Sequence, residues 1–590
     1  PVSIRTLEIL QKVIVGFFIA DRLLRVLLAR VKLAYLKDNW LDYALIVLFI
    51  LAVGIVYQYR RHMFSAGALF VIITQVYLLA MLVLRAVNTN LRLAGSGLPP
   101  SWLLIGSFAG LCLIGSGLLM LPAAVYPQFQ GRWFYDDALF TATSATCVTG
   151  LIVADTGRQF TPFGQAVILG LIQLGGLGIM IFGTMLALLA GKALSVRGSE
   201  VVGQMLASER IGDLGRVVRF VIVVTFVLEA IGVLLLLEMY ASSGVRNAWG
   251  ESMSMTSAIW YSVFHSISAF CNAGFSLYPN NMMQGLSDGW SSPLRDHWQM
   301  LGVMAPLIVL GGLGFPVLSD ILVYLRSLLV RAFRYVRRRS PIHSLPPARL
   351  SLHSRIVLTG TCLLIVLGAV GLGLFGIATD DQAGRNIHGR IASPPATGDW
   401  EAMSAGKRTA AMVFQSVTAR TAGFNTINMN QLTDGGKLWM CGLMTIGGSP
   451  AGTAGGLKTV TVAMLVLACW CVLRRREQIE AFGRSVPDIL LRRAVTIVLL
   501  YMSLLVVVTL LLCASMRDEK FIDLLFEASS ACGTVGLSTG ITSRLELFGK
   551  FVIIGGMFIG RIGPLTLLLA LTVHMKKVEF SYPAENIVIG

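Results

Sequence analysis

Four times in 590 residues, a run of small and hydroxyl-bearing side chains ending in glycine interrupts an otherwise apolar chain. The runs are FTATSATCVTGL from Phe140, FHSISAFCNAGF from Phe264, FQSVTARTAGF from Phe414 and FEASSACGTVGL from Phe526. Each opens on Phe and closes on a glycine followed by Leu or Phe, aligning Gly150, Gly274, Gly423 and Gly536. The Phe sits ten residues before its glycine in three copies and nine before in the Phe414 copy. Each run follows an apolar span (102–123, 218–240, 356–377, 494–514) and precedes another, which predicts a unit of helix, short loop helix, glycine strand, helix. The runs are too short and too polar to cross a bilayer. Irregular backbone at that depth persists only where protein or a water-filled path surrounds it, so the loops are expected to dip in and return.

Four such units around one axis bring four glycine strands together. Glycine permits the dihedrals that aim carbonyls inward, and rings of carbonyls that replace an ion's hydration shell make a potassium filter. Close helix packing through small residues is the alternative for any single copy, but four copies in the same context favour the ring. The candidate strands are Val148, Thr149 and Gly150; Asn272, Ala273 and Gly274; Thr421, Ala422 and Gly423; and Thr534, Val535 and Gly536.

Composition agrees with a multi-pass membrane protein. The chain is 55% hydrophobic and 13% charged, its mean hydropathy is +0.73, and roughly eleven segments reach the length of about 20 apolar residues a span needs. The net charge of +17 could suggest nucleic acid, but it collects in loops, as membrane orientation requires. From Arg326 to Arg355 there are eight arginines and no acid between spans, and 473–493 is also basic, so these loops face the cytoplasm. The segments 126–137 and 378–403, just before loop motifs, are neutral or acidic by comparison and face outside. The nine cysteines form no CxxC pair, which indicates neither a disulfide framework nor a transition-metal site. A chain that opens on Pro1 with no cleavable signal pattern is expected to be truncated or renumbered at its start.

Below the third run, GGSPAGTAGGLKT packs Gly447, Gly448, Gly452, Gly455, Gly456 and Pro450 into about ten residues, which no regular helix holds at low cost. An unwound gate loop beneath the filter is expected there, beside Lys458. Arg561 lies within an apolar span, where a charge costs at least about 2.5 kcal/mol. A cation about 8 Å away at an effective dielectric of about 20 feels roughly 2 kcal/mol of repulsion, so Arg561 reads as a barrier to flux. An ion pair with the buried Glu229 is the structural alternative. His265 and His353 read as satisfied polar contacts. No catalytic constellation or nucleotide-binding loop appears, so the chain is not expected to be an enzyme and energy must come from ion gradients.

The motifs SATCVTGL, QLGGLGIMIFG from 173, FCNAGFS, TARTAGFNT, GGSPAGTAGGLKT, AFGR from 481, CGTVGLSTG, MFIGRIGPLT from 557 and the terminal YPAENIVIG together resemble the Trk/Ktr/HKT superfamily of potassium transporters. The likeness is nearest to the membrane subunit of bacterial Ktr systems and covers about 96–590. It implies an all-α polytopic protein, a single-chain pseudo-tetramer of four helix, pore-loop, helix repeats. Their expected bounds are 96–192, 214–330, 350–475 with the broken gate helix, and 487–590 with the tail. It further implies a homodimer in membrane lipid, in a bacterial inner membrane, carrying K+ with Na+ as a regulator and no organic cofactor. A cytosolic nucleotide-binding ring of the RCK type is the implied partner, docked on SYPAENIVIG and the basic loops. Glycine at all four filter positions goes with potassium preference in that family. A sodium- or proton-coupled potassium symporter is the alternative function.

Residues 1–95 lie outside this resemblance and read as about three further spans. Phe18, Asp21, Trp40 and Asp42 are similar to the second and third helices of a voltage sensor, but the next span offers mainly Arg85 instead of an arginine ladder. A packing or assembly module is expected there.

Overall fold

The computed structural model describes residues 100–178, 214–286, 290, 293–336, 349–376 and 403–571, with Leu24, Leu28 and Lys32. The voltage-sensor-like positions and the tail from Ser581 lie outside the described residues. The first unit contains α1 (Pro100–Leu119), the pore helix α2 (Tyr135–Thr146) and α3 (Pro162–Leu177). The second contains α4 (Leu214–Tyr240), the pore helix α5 (Met255–Phe270), α6 (Ala305–Leu313, entered through a π-turn at Met300–Met304) and α7 (Phe315–Val336). The third contains α8 (Leu352–Phe375), the pore helix α9 (Ala405–Thr418), α10 (Asp434–Thr445) and α11 (Thr459–Leu473). A small antiparallel hairpin, β1 (Ile479–Ala481) with β2 (Arg484–Val486), leads into the fourth. That unit contains α12 (Asp488–Ser515), the pore helix α13 (Phe521–Gly533), α14 (Leu547–Ile562) and α15 (Pro564–Leu571).

Among the described residues α4, α8 and α12 are each long and apolar enough to span a membrane, and the stretches Met300–Leu313 and Phe315–Arg331, bent by 106°, pass the same test as a pair. The pore helices cannot span. At 1.5 Å per residue they reach about 18–24 Å, against a hydrocarbon core of about 30 Å. Their starts are fixed by short-range chemistry: Ser254 and Ser404 cap α5 and α9 by accepting from the N–H groups of Ser257 and Lys407. Asp136, Asp137 and Asp523 instead place negative charge in the first turns of α2 and α13, where the helix dipole favours it.

The units close into a ring. Within each, the first long helix packs on its own pore helix. The helix after each glycine strand packs on the next unit's pore helix: α3 on α5, α6 on α9, α10 on α13, and α14 back on α2. The leading phenylalanines Phe140, Phe264, Phe414 and Phe526 are at most 1% exposed. Phe526 joins the third unit's cluster beside Met440 and Met444, and Phe140 joins the fourth unit's beside Ile553 and Met557. The recurrent Phe therefore locks one unit into its predecessor. Polar ties between the units repeat this order. Trp260 Nε1 donates to Gln165 Oε1 at 2.7 Å, Lys407 Nζ meets Asp296 at 2.7 Å, Lys437 Nζ meets Asp523 at 2.7 Å, and Lys550 Nζ bridges Asp136 and Asp137 at 2.6 and 2.5 Å.

The sequence singled out one broken helix, in the third unit, but the structure also ends the matching helix of the other three at a glycine. In the other three the helix after the filter ends at Gly178, Gly314 or Gly563, with φ of 80°, 83° and 92°. The signal was present as LGGLG from 174, LGGLG from 310 and IGRIG from 559.

Candidate functional site

Three of the four pore helices end in a wide turn. Thr149, Ala273 and Val535 each donate an N–H to the carbonyl five residues back, on Ser144, Ser268 and Ser530, all at 2.8 Å. In the third unit Ala422 donates to Thr418, four residues back, at 2.9 Å. That one-residue difference accounts for the shorter spacing from Phe414 to Gly423.

The strands beyond are alike. Val148, Asn272, Thr421 and Thr534 have φ of 56°, 59°, 73° and 50°, and two residues later Gly150, Gly274, Gly423 and Gly536 have φ of 90°, 70°, 77° and 94°. The middle residues Thr149, Ala273, Ala422 and Val535 are not among the positive-φ residues. Alternating backbone handedness turns successive peptide groups to one side of a strand, so carbonyls gather on one face. Four non-glycine residues held at positive φ at equivalent points mark a conformation imposed by the surroundings.

The four strands lie edge to edge in cyclic order. A Cβ at Gly150 would strike the Ala273 carbonyl oxygen; at Gly274, the Ala422 oxygen at 2.7 Å; at Gly423, the Val535 oxygen at 2.5 Å; at Gly536, the Thr149 oxygen. The chain thus brings all twelve filter candidates into one closed ring. Glycine is required there twice, by its φ and by its neighbour's backbone. The strands are pinned from behind: the N–H of Gly150 donates to Ser144 Oγ at 3.1 Å, that of Gly536 to Ser530 Oγ at 3.0 Å, and Ser268 Oγ donates to the Phe275 carbonyl at 2.8 Å. The hydroxyls of Thr421 and Thr534, at the start of their strands, are buried with no hydrogen-bond partner among the described residues.

Beyond the first strand, Asp155 caps the turn Thr156–Gln159, accepting from the N–H groups of Gly157 and Arg158 at 3.0 and 3.2 Å. Burial pushes its carboxyl above the usual carboxylate range.

The third unit's loop, 446–458, lies directly against this ring. Its ends are tied by the Gly447 N–H to the Leu457 carbonyl (2.8 Å) and the Thr459 N–H to the Gly448 carbonyl (2.9 Å). Its middle docks on the second unit: Ser449 and Thr453 donate N–H groups to the carbonyls of Gly312 and Gly311, and Thr453 Oγ1 donates to the Phe270 carbonyl at 3.1 Å. Gly452 packs against Gly311 and Gly314, Gly455 against the Thr534 side chain, and Gly456 turns with φ of 64°. Lys458 Nζ donates to the Ala454 carbonyl at 2.7 Å within the same loop.

Arg561 occupies the position held by Gly176 and Gly312 in the first two units. Its guanidinium donates to the carbonyl of Thr453 in the loop and, through Nη2, to those of Gly175 at 2.6 Å and Gly176 at 3.5 Å. It therefore straps the loop to the end of the first unit's helix α3. Glu229, the expected alternative partner, accepts from Gln173 Nε2 at 3.3 Å and from Cys271 Sγ at 4.0 Å, and no Glu229–Arg561 ion pair occurs among the described residues. His265 is a satisfied contact, as expected. Sequence reasoning missed Arg420, a lone cation in the TARTAG run. It is 8% exposed, and its Nη2 donates at 3.3 Å to Thr459 Oγ1, which in turn donates to the Gly447 carbonyl at 2.9 Å. The base of the third strand and the loop are thereby connected.

Residues 125–581 match the TrkH family, described as "Cation transport protein". The chain is 32% identical to "Potassium/sodium uptake protein NtpJ" of Enterococcus hirae over 498 residues, covering 84% of this chain and 98% of that protein. It is 34% identical to "Ktr system potassium uptake protein B" of Bacillus subtilis over 494 residues, covering 83% and 97%, and 34% identical to the protein of the same description from Vibrio alginolyticus over 486 residues, covering 82% and 93%. The crystal structure of the potassium transporter TrkH from Vibrio parahaemolyticus superposes with a TM-score of 0.55 at 16% identity, over 80% of this chain and 84% of that one. That likeness concerns the fold.

Proposed function

Because the chain belongs to the TrkH family of cation transport proteins, we propose that it is a multi-pass plasma-membrane protein that takes up potassium down its electrochemical gradient. It is a transporter and not an enzyme. The filter would be the ring of Val148–Thr149–Gly150, Asn272–Ala273–Gly274, Thr421–Ala422–Gly423 and Thr534–Val535–Gly536, whose carbonyls replace water around the ion. The single observation that carries this reading is the cyclic close approach of the four glycines, each to the next strand's carbonyl. Relatives described as potassium or potassium/sodium uptake proteins supply the ion.

The gate would be the loop with Gly447, Gly448, Gly452, Gly455, Gly456 and Lys458, strapped shut by Arg561. The finer parts of the proposal are four repeats with the bounds 96–192, 214–330, 350–475 and 487–590, a homodimer, a regulatory role for sodium, and a cytosolic nucleotide-binding ring. The relatives described as Ktr system proteins favour a separate regulatory subunit. Coupled symport is less well supported, because Glu229 already accepts hydrogen bonds from Gln173 and Cys271. Expression in a potassium-transport-deficient host, grown at low potassium with and without sodium, tests the function. Growth rescue is expected, and failure of well-inserted protein to restore growth or rubidium uptake in either medium would refute it.

A further inference from the structure

In each pore helix the residue after the leading Phe differs in chemistry: Thr141, His265, Gln415 and Glu527. In three of the four units that residue performs the same task. His265 Nε2 accepts from the Leu277 N–H at 3.3 Å, Gln415 Oε1 from the Thr426 N–H at 3.4 Å, and Glu527 Oε1 from the Thr539 N–H at 3.1 Å. Leu277, Thr426 and Thr539 each lie three residues past their filter glycine. One strut thus recurs behind three filter strands, pinning the chain where it leaves the ring.

The struts differ in strength. Glu527 is fully buried and also accepts from the hydroxyls of Ser538 and Thr542, the latter at 2.8 Å, so every partner is a donor to the carboxylate. Bonds to a charged acceptor are roughly twice as strong as neutral ones. His265 is held as one tautomer: Nδ1 faces the Tyr261 carbonyl at 2.8 Å and must carry the proton, which leaves Nε2 as the acceptor, also 3.1 Å from Ser276 Oγ. Its ring clusters with those of Tyr240 and Tyr278, with centroids 5.3 and 5.8 Å away. Gln415 makes the longest bond. In the first unit Thr141 Oγ1 is buried with no partner among the described residues.

We infer that Glu527, His265 and Gln415 are positioning residues for ion discrimination, each holding the exit of one filter strand so that its carbonyls keep their spacing, while the first unit lacks this strut. The inference rests on the filter reading above. None of these side chains needs to touch the ion. The ring is braced hardest at the fourth strand and least at the first, so the Gly150 quarter is the softest.

The test is rubidium uptake competed by sodium in a potassium-transport-deficient host, normalised to membrane-inserted protein. Losing a buried bond to a charged group shifts an equilibrium by about tenfold or more, and a long neutral one by about threefold. Glu527→Ala should weaken rubidium-over-sodium discrimination by about tenfold, Gln415→Ala by about threefold, and His265→Ala between them. Glu527→Gln and His265→Gln, which keep an acceptor, should recover most of it. Thr141→Val, which removes an unpartnered hydroxyl at constant shape, should match wild type. Wild-type competition in Glu527→Ala and His265→Ala, or a shift in Thr141→Val as large as theirs, overturns the inference. Should Glu527→Ala fail to reach the membrane, wild-type discrimination in both His265→Ala and Gln415→Ala overturns it equally. Gly150→Ser separates the two levels: if it shifts discrimination and the strut variants do not, the struts are wrong and the ring stands. If nothing shifts, the ring itself is wrong.

Discussion

The filter ring and the layer beneath it are built from the same four units by opposite rules. In the ring the four strands share positive φ at the same two positions and approach one another in the same way. Beneath it three units end a helix at one glycine, whereas the third inserts the thirteen-residue loop 446–458, and the fourth alone places an arginine where two others have glycine. Discrimination needs equal coordination from all sides, so departures from symmetry there are costly. A gate needs one part that moves against others that stay, so asymmetry is its working principle. The loop is hydrogen-bonded at its ends to itself and in its middle to other units, the construction of an element with two discrete positions.

The largest departure should come from removing the asymmetric part. Deleting 447–456 should raise basal rubidium flux more than any single substitution, with rubidium-over-sodium preference near wild type, measured in proteoliposomes. Arg561→Ala removes the strap and the barrier charge together. A barrier of roughly 2 kcal/mol corresponds to about thirtyfold in rate, so basal flux should rise by about that factor. Arg561→Lys should fall between, since an ammonium cannot fork to Thr453 and Gly175 at once. Unchanged flux in both would show the strap to be a packing contact.

A smaller effect is expected at the polar ties between units, which concern assembly and not gating. Lys437 and Asp523 are 5% and 11% exposed at their side chains and 2.7 Å apart. Breaking such a pair from one side costs about 3–5 kcal/mol. Lys437→Met should therefore lower the unfolding midpoint in detergent while leaving discrimination in surviving protein intact. Lys437→Met with Asp523→Leu should recover most of the stability. A double variant no better than the single one would contradict the pairing. The half-exposed tie of Lys407 to Asp296 should matter least, with Lys407→Met changing the midpoint by less than about 1 kcal/mol equivalent.

Sequence conveyed the symmetric layer well and the asymmetric one in part. The four glycines were legible because backbone geometry there excludes every other residue, so the need is written directly as composition. The loop 446–458 was legible for the same reason, five glycines being incompatible with a helix. Partners were not. Arg561 suggested Glu229, because a buried charge in a sequence invites an opposite charge, while the fold satisfies it with carbonyls that every residue carries. The struts were hidden because His, Gln and Glu at one aligned position do not look like a repeat. Only their common amide target, three residues past each glycine, makes them one. The helix ends at Gly178, Gly314 and Gly563 were spelled out by LGGLG, LGGLG and IGRIG, a pattern weaker in composition than the third unit's loop.

The central claim is that Gly150, Gly274, Gly423 and Gly536 form one coordinating ring. Its most direct test is a serine substitution at each glycine in turn, read as rubidium uptake against rising sodium in a potassium-transport-deficient host. A side chain at any of the four must crowd a neighbouring carbonyl, so each variant should lose rubidium-over-sodium discrimination while reaching the membrane, with severity differing among strands. Four well-inserted variants that all compete like wild type would reduce the glycine strands to packing elements and contradict the account.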